Sequence, residues 1–315
     1  MLILNQWRRN KKMKFWNKNT VIILLIGIIC FCSGLFINAS LREDDKQQQL
    51  IDQSLKCYSL PIPEYVNFAN QKISLKEFDV KERFDRELLT NVYWQSQTIL
   101  LLKRANRFFP TIEKILKEQG LPDDLKYVAL IESGLMNVVS PAGAAGFWQF
   151  MDKTGKQYGL TINTEVDERY HLEKATYAAC KYFKESYSEF NDWGLVAASY
   201  NMGIEGLKRQ LKSQSGNSYY DLYLNTETSR YVFRILAIKE IAEKSQQYGF
   251  YLAKGHLYET IPTINLSVNY SIPSIADWAI QFKTNYKTVK LLNPWLRSNT
   301  LTLKEGQNVE ITLRK

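Results

Sequence analysis

An uncharged, strongly apolar run near the start of the chain constrains its architecture more than any other feature. Residues 20–39 read TVIILLIGIICFCSGLFINA. Twenty residues in a helix extend roughly 30 Å, which is the thickness of the hydrocarbon core of a bilayer. We therefore predict a single membrane-spanning helix here, within a first segment of residues 1–41.

The charges on the two sides of this run differ. The segment before it contains six basic residues, Arg8, Arg9, Lys11, Lys12, Lys14 and Lys18, whereas the residues after it, from Arg42 to Lys46, are of mixed charge. This asymmetry predicts a cytoplasmic N-terminus, an uncleaved anchor in the inner (cytoplasmic) membrane, and a main domain in the periplasm or cell envelope. The alternatives are a buried core helix and a signal peptide cleaved after Ala39, although Ile37 is not the small residue that such cleavage requires.

Charge and cysteine content exclude several classes of protein. The formal net charge is +9, and removal of the six N-terminal cations leaves about +3, which is too small for a nucleic-acid-binding domain. The two cysteines beyond the apolar run are Cys57 and Cys180, and the sequence has no CxxC motif or Cys/His cluster. We predict two buried free thiols, no metal site and no cofactor.

Beyond the anchor, the sequence divides into three segments. Residues 42–75 are polar, contain Pro61 and Pro63, and are typical of a tether. Residues 76–250 have helical apolar periodicity, whereas residues 255–315 combine β-branched stretches with two short helical patterns. The predicted fold class is mainly α, with a helical domain followed by a small α+β module.

Five helices can be located within the central segment. The first is expected to begin after Thr111 as N-cap and to end at Gly120, and the second spans residues 121–133. Apolar residues at helical spacing predict the other three at residues 171–190, 192–201 and 229–244.

Glu132 lies in the middle of the apolar stripe of the second of these helices. At about 100° per residue, Leu125, Val128 and Ala129 share its face. Burial disfavours an ionised carboxylate, so such a glutamate can retain a proton near neutral pH and act as a general acid. The alternative is a structural glutamate paired with Arg104 or Arg169.

Two motifs resemble the lytic transglycosylase family, whose catalytic domain is lysozyme-like. They are ESGLMNVVSPAGAAGFWQF and, about fifty residues later, ASYN, in the order and spacing of the membrane-bound D-type members. The resemblance implies that Glu132 is the catalytic acid/base. It also implies a set of substrate-binding positions: Ser133, Ser140, Gly143, Ala144, Gly146, Gln149, Tyr200 and Asn201. The phenol of Tyr200 is expected to face the glutamate.

The chemistry of these residue types fits a sugar cleft. Gly143 and Gly146 would let the backbone approach a sugar closely, and the Gln149 amide can both donate to and accept from an acetamido group. The aromatic rings of Trp148, Tyr158 and Tyr170 offer flat faces for sugars, with core packing as the alternative. Many relatives have Leu-Met where this chain has Phe147 and Trp148.

The resemblance also implies the reaction. No second carboxylate occupies a position that the family marks as nucleophile, although Asp152, Asp167 and Asp192 are near in sequence. In the family, one glutamate protonates the bridging oxygen of the MurNAc-GlcNAc β-1,4 bond of peptidoglycan and then deprotonates the 6-hydroxyl, which gives a 1,6-anhydroMurNAc product. The alternatives are a muramidase that uses water and a catalytically silent wall-binding protein.

The C-terminal module resembles a LysM peptidoglycan-binding domain in its strand, helix, helix, strand order. The usual Gly-Asp-Thr turn is replaced by residues 269–272, NYSI. The resemblance implies a glycan-binding module that raises affinity for insoluble peptidoglycan and is not needed for bond cleavage. The alternative is a domain that merely caps the helical domain.

Overall fold

The computed structural model describes residues 17–54 and 58–315. Two compact units are present, Met1–Ser59 and Leu60–Lys315. The basic residues from Arg8 to Lys14, and Cys57, lie outside the described residues. The predictions that rest on them are therefore not addressed by the structure.

The first unit contains one long helix, α1, over Lys18–Ser54. Its part Val21–Ala39 has a mean hydropathy of 2.7 and is not buried against any other described residue. It is therefore long and apolar enough to cross a membrane. The helix continues to Ser54, so the first half of the predicted tether is helical. Residues 42–54 contain no Pro or Gly and many good helix formers, which explains this difference.

The second unit begins with a β-hairpin inside the segment that was predicted to be a tether. Strand β1, Tyr65–Phe68, pairs antiparallel with β2, Gln71–Ser74. Its turn residues Ala69 and Asn70 both have positive φ, as a tight two-residue hairpin requires. Phe68 and Ile73 are buried in the core of the helical domain. The tether prediction is therefore wrong for this part, and the compact unit begins at Leu60 instead of residue 76.

Helices make up most of the second unit. They are α2 (Phe78–Tyr93), α3 (Gln95–Glu118), α4 (Lys126–Ser133), α5 (Asp152–Gln157), α6 (Leu172–Phe190), α7 (Trp193–Met202), α8 (Ile204–Gln214) and α9 (Thr226–Glu243). The helices predicted at residues 171–190, 192–201 and 229–244 are confirmed within three residues at each end. The helix predicted at residues 121–133 ends at Ser133 as expected, but its α-helical part begins only at Lys126, after a short 3-10 turn over Asp123–Leu125. The mainly α fold class is also confirmed.

Helix α3 differs from the prediction at its start. Thr111 is not an N-cap, because the helix begins at Gln95 and contains Pro110. The buried stripe of Leu102, Ala105, Phe109 and Ile112 continues past the proline, so core packing outweighs the cost of the proline in the helix. The predicted stop is confirmed, since the chain leaves the helix just before Gly120, at φ +65°.

Helix α9 forms the centre of the helical domain. It packs against α2, α4 and α7. Tyr231, Val232, Phe233 and Leu236 are all almost fully buried. The helix also buries two charged residues, Lys239 and Glu240, which form ion pairs with Glu243 and Lys244. This central position brings α9 against the end of α4 that carries Glu132.

The C-terminal module has the predicted strand, helix, helix, strand order. It comprises β3 (Thr263–Val268), α10 (Ile275–Gln281), α11 (Tyr286–Leu292) and β4 (Val309–Arg314). The two strands pair antiparallel from Thr263 opposite Arg314 to Val268 opposite Val309. The core of the module also includes two residues of the helical domain, Ala145 and Tyr170.

The prediction for Cys180 is confirmed. It lies in α6 and is a buried free thiol, and burial raises its pKa to about 12.

Candidate active site

Helix α4 presents Glu132 in its last turn, just before the chain leaves the helix. Leu125, Val128 and Ala129 on the same stripe are completely buried, while Glu132 is half-buried. The helix ends at Gly134, whose φ of +60° is the left-handed conformation typical of a helix C-cap. The carboxylate therefore lies at the edge of the core, next to the irregular segment that follows.

The surroundings of Glu132 keep its carboxyl group partly protonated at neutral pH. Burial raises its pKa to about 7, and the charge of Glu227 acts in the same direction. The Tyr231 hydroxyl donates a hydrogen bond of 2.5 Å to Glu132 Oε1. That bond and the charge of Arg234 act in the opposite direction, but burial is the largest effect. A carboxyl group with a pKa near 7 can both deliver and accept a proton.

The structure pairs Glu132 with neither Arg104 nor Arg169. Arg104 donates to the carbonyl of Leu100, and Arg169 forms its ion pair with Asp167. No Lys or Arg in the described part of the chain forms a salt bridge with Glu132.

Tyr231, not Tyr200, donates the hydrogen bond to Glu132. The Tyr200 hydroxyl donates instead to the carbonyl oxygen of Trp148, at 2.8 Å. Burial, followed by the charge of Glu132, raises the pKa of Tyr200 well above its ordinary value, so the phenol is near the glutamate without bonding to it. Sequence analysis missed Tyr231, whose only signal was a place beside Val232 in a predicted helix.

Residues 138–150, here called the floor segment, form a compact turn next to α4. The Ser140 amide donates to the Ala144 carbonyl at 2.8 Å, and the Gly146 amide donates to the Val138 carbonyl at 3.0 Å. The Ser140 hydroxyl accepts from the Ala144 amide at 3.0 Å. Ser140 and Ala144 therefore stabilise the shape of the segment.

The Gln149 side chain forms hydrogen bonds within the floor segment, and the Ser133 side chain bonds this segment to α4. The Gln149 amide nitrogen donates to the carbonyls of Val138 and Gly146, at 3.0 and 2.8 Å. The buried Ser133 hydroxyl donates to the carbonyl of Phe147, at 2.8 Å. The Ser133 hydroxyl and the Gln149 amide nitrogen are therefore both used in bonds within the protein. The amide oxygen of Gln149 accepts no hydrogen bond from the described residues.

The two glycines of the motif meet different surroundings. A Cβ atom on Gly146 would lie 1.8 Å from the carbonyl oxygen of Arg169, whereas one on Gly143 would meet no atom within 4 Å. Gly146 is therefore required by the close approach of another backbone, not by a sugar. Only Gly143 faces open space where a sugar could approach.

The aromatic side chains near the motif are core residues. Trp148 has no exposed surface, and its indole N–H donates to the hydroxyl of Thr176. The prediction that its ring offers a face to a sugar is therefore wrong. Tyr158 and Tyr170 are also buried. The exposed apolar side chains in the segment that follows α4 are Met136, Val138 and Val139, which sequence analysis did not single out.

Asn201 belongs to a polar cluster at the start of α9. Its amide nitrogen donates to Glu227 at 3.0 Å, and its oxygen accepts from the Thr228 hydroxyl at 2.8 Å. Glu227 was also missed by sequence analysis, and it is the carboxylate whose charge raises the pKa of Glu132. The described residues contain no group of three or more potential ligands arranged to hold a metal.

The three aspartates that follow Glu132 in the sequence each bond to a group other than Glu132. Asp152 pairs with Lys156, Asp167 pairs with Arg169, and Asp192 caps α7 through the Leu195 amide. None of them is shown to act on Glu132.

Two parts of the sequence match known protein families. Residues 109–222 match the description "Transglycosylase SLT domain", and residues 264–315 match "Soluble lytic transglycosylase C-terminal LysM-like domain". The chain therefore carries a transglycosylase SLT domain followed by a LysM-like domain. Both predicted resemblances are confirmed.

Two curated relatives match most of the chain. Both are membrane-bound lytic murein transglycosylase D, from Escherichia coli strain K12 and from Escherichia coli O6:H1 strain CFT073, and each is 26% identical over 247 residues. The match covers 76% of this chain and 53% of each relative. The chain thus spans about half the length of the curated relatives that it matches.

Two solved structures are also similar. One is an inactive mutant of lytic transglycosylase Slt from Pseudomonas aeruginosa, at 20% identity and a TM-score of 0.37. The other is the 70 kDa soluble lytic transglycosylase of Escherichia coli, at 18% identity and a TM-score of 0.38. Each match covers 48% of this chain and 26% of the other chain.

Proposed function

We propose that this chain is a lytic transglycosylase that cleaves the MurNAc-GlcNAc β-1,4 bond of peptidoglycan, with Glu132 as its acid/base. The observation that carries the proposal is the state of Glu132, a half-buried carboxyl group at a helix end with a pKa raised to about 7 and a single tyrosine as its hydrogen-bond partner. Glu132 lies within residues 109–222, which match the transglycosylase SLT domain, and this match supports the proposal.

The proposed reaction uses the same carboxyl group twice. Protonated Glu132 first donates its proton to the bridging oxygen, while the N-acetyl group of the substrate assists departure at the anomeric carbon. The carboxylate then removes the proton of the muramic acid 6-hydroxyl, whose oxygen bonds to the anomeric carbon. A 1,6-anhydroMurNAc end forms, Glu132 regains its proton, and no water is consumed. A pKa near 7 suits both steps, because neither proton state is strongly disfavoured.

Hydrolysis of the same bond by water remains the second candidate, because Glu227 acts on Glu132. Glu227 is the carboxylate whose charge raises the pKa of Glu132, and inverting and retaining glycosidases use a carboxylate pair. In this structure Glu227 accepts a hydrogen bond from Asn201. We therefore assign Glu227 an electrostatic role and give the leading place to the transglycosylase.

We further propose that α1 anchors the enzyme in the inner membrane, with the SLT domain facing the periplasm. Its stretch Val21–Ala39 is apolar and exposed along its whole length, and the curated relatives are named as membrane-bound. Peptidoglycan is the proposed partner of both the SLT domain and the LysM-like domain.

Mass analysis of the soluble products from purified sacculi tests the proposed reaction. A transglycosylase releases 1,6-anhydromuramyl products, which are lighter by one water than the products of a muramidase. Reducing muramic acid ends would show that the site hydrolyses the bond. Intact sacculi after incubation with the folded full-length chain would favour the silent wall-binding protein.

A further inference from the structure

The LysM-like domain makes a polar contact with one loop of the SLT domain. That loop, residues 163–171, precedes α6. The Glu165 carboxylate accepts from the Thr300 hydroxyl at 2.5 Å and from the Thr302 amide at 2.8 Å. Backbone bonds lie alongside, from the Arg297 amide to the Glu165 carbonyl at 2.7 Å and from the Asp167 amide to the Trp295 carbonyl at 2.9 Å. The Thr300 hydroxyl, with a smaller effect from Thr302, lowers the pKa of Glu165.

Apolar packing extends this contact. The Trp295 ring stacks on His171, with ring centroids 5.8 Å apart, and the Arg297 guanidinium lies 4.2 Å from the centre of the Tyr170 ring. Tyr170 and Ala145 belong to the same hydrophobic cluster as the core of the LysM-like domain. Ala145 lies inside the floor segment, so the core of the LysM-like domain contacts the floor segment directly.

Arg169 connects the same loop to the floor segment. One of its terminal nitrogens donates to the carbonyls of Gly143 and Phe150, at 3.1 and 3.2 Å. Its remaining nitrogens bond to Asp167. The Arg169 carbonyl also occupies the space where a Cβ of Gly146 would lie. Both the side chain and the backbone of Arg169 therefore fix the position of the floor segment.

We infer that the LysM-like domain supports the glycan cleft: it holds the loop 163–171 through Glu165, and Arg169 of that loop positions the floor segment beside Glu132. This inference rests on the proposed function for the identity of the ligand, a peptidoglycan glycan strand. Glu165 and Arg169 are positioning residues, because they act through the floor segment. The domain thus contributes to the binding of short soluble glycans, not only to retention on an insoluble wall.

The test variant is Glu165→Ala in the full-length chain, purified in detergent. The matched control is Glu310→Ala, because Glu310 lies in β4 of the same domain and is exposed. With a soluble, uncrosslinked MurNAc-GlcNAc octasaccharide, we expect Glu165→Ala to raise KM roughly tenfold, which corresponds to about 1.4 kcal/mol. The value of kcat and its pH profile should stay unchanged, because the contacts of Glu132 are intact. Glu165→Gln retains an acceptor oxygen and should restore part of the loss.

Amide hydrogen exchange tests whether the LysM-like domain stabilises the floor segment, and it does not require enzyme activity. The amides of Ser140, Ala145 and Gly146 are hydrogen-bonded within the floor segment, and they should exchange faster in Glu165→Ala but not in Glu310→Ala. Unchanged exchange and unchanged KM would overturn the inference even if the enzyme is active. A fall in kcat at constant KM would also overturn it. If the wild type cleaves no glycan but exchange responds as expected, the proposed function fails and the support remains.

Discussion

The two sides of the proposed site are built in different ways. Glu132 owes its position to one short helix and its chemistry to burial and one hydrogen bond from Tyr231. The floor segment has no regular secondary structure and is held by contacts from α4, α7, and the loop that bears Arg169. The difference teaches that the acid side can be altered chemically with little structural change, whereas the floor is sensitive to changes in shape and in distant supports.

The largest effect is expected on the acid side, from Glu132→Gln. The amide is nearly isosteric but cannot deliver a proton, and a positioned acid/base typically contributes ~10² to 10⁴-fold in rate. Since one group serves both proton transfers, we expect a loss at the upper end of that range or beyond. Turnover of soluble glycan measures it, with the exposed Glu305→Gln as control. A folded Glu132→Gln variant of near wild-type rate would make Glu132 a structural residue.

On the floor side, Gly146→Ala should be the most damaging single substitution. The added Cβ would overlap the carbonyl of Arg169 at 1.8 Å, so backbone must move, and we expect a loss of more than about 4 kcal/mol in the free energy of unfolding. Gly143→Ala is the matched control. It also has positive φ but faces open space, and should cost only about 1 kcal/mol. Equal denaturation midpoints for the two variants would contradict the proposed packing.

The stability of the domain should depend on the protonation of Glu132. Its pKa is raised from 4.5 to about 7 in the folded state, so between these pH values the folded state binds a proton that the unfolded state has lost. The contribution is fully present below about pH 4.5 and is lost as pH rises through 7. We expect a loss on the order of 3 kcal/mol from this group, since one pKa unit corresponds to about 1.4 kcal/mol. Denaturant unfolding across this range should show it in the wild type and not in Glu132→Gln.

The smallest effect is expected from Tyr231→Phe. The hydrogen bond of Tyr231 lowers the pKa of Glu132, so its removal should raise that pKa and move the basic limb of the pH-rate profile to higher pH. The rate at the optimum should fall no more than about tenfold, the worth of one hydrogen bond. Tyr248→Phe is the control, because its buried hydroxyl also donates to a glutamate, Glu240, which lies nine residues beyond Tyr231 on α9. A shift of the profile in both variants would argue against a specific effect of Tyr231.

The same contrast explains which features could be predicted from the sequence. The apolar stripe that carries Glu132 is a local pattern, and helix periodicity identifies it directly. Tyr231 lies 99 residues further along the chain, and nothing in the local pattern distinguishes it from its buried neighbours. The requirement at Gly146 was predicted, but its reason was not, because the atom that it avoids belongs to Arg169.

Errors in the fold predictions have a similar origin. Thr111 and the preceding proline are typical of a helix start, yet the packing of Phe109 and Ile112 carries α3 through Pro110. The strands β1 and β2 of the hairpin are only four residues long. The hydrogen bond that joins the hairpin to the helical domain, from the Ala69 amide to Asp124, links residues 55 positions apart in the sequence. Contacts of this range override local preferences, and a single sequence does not display them.

The buried thiol of Cys180 is chemically protected as long as the domain is folded. A thiol with a pKa of about 12 presents almost no thiolate at neutral pH, so it reacts with neither oxidants nor alkylating reagents while the domain is folded. Folded chains are therefore protected at this position from wrong disulfides, whatever the redox potential of their surroundings. In a chain whose other three cysteines are replaced by serine, the rate of thiol labelling at Cys180 therefore measures the rate at which α6 opens.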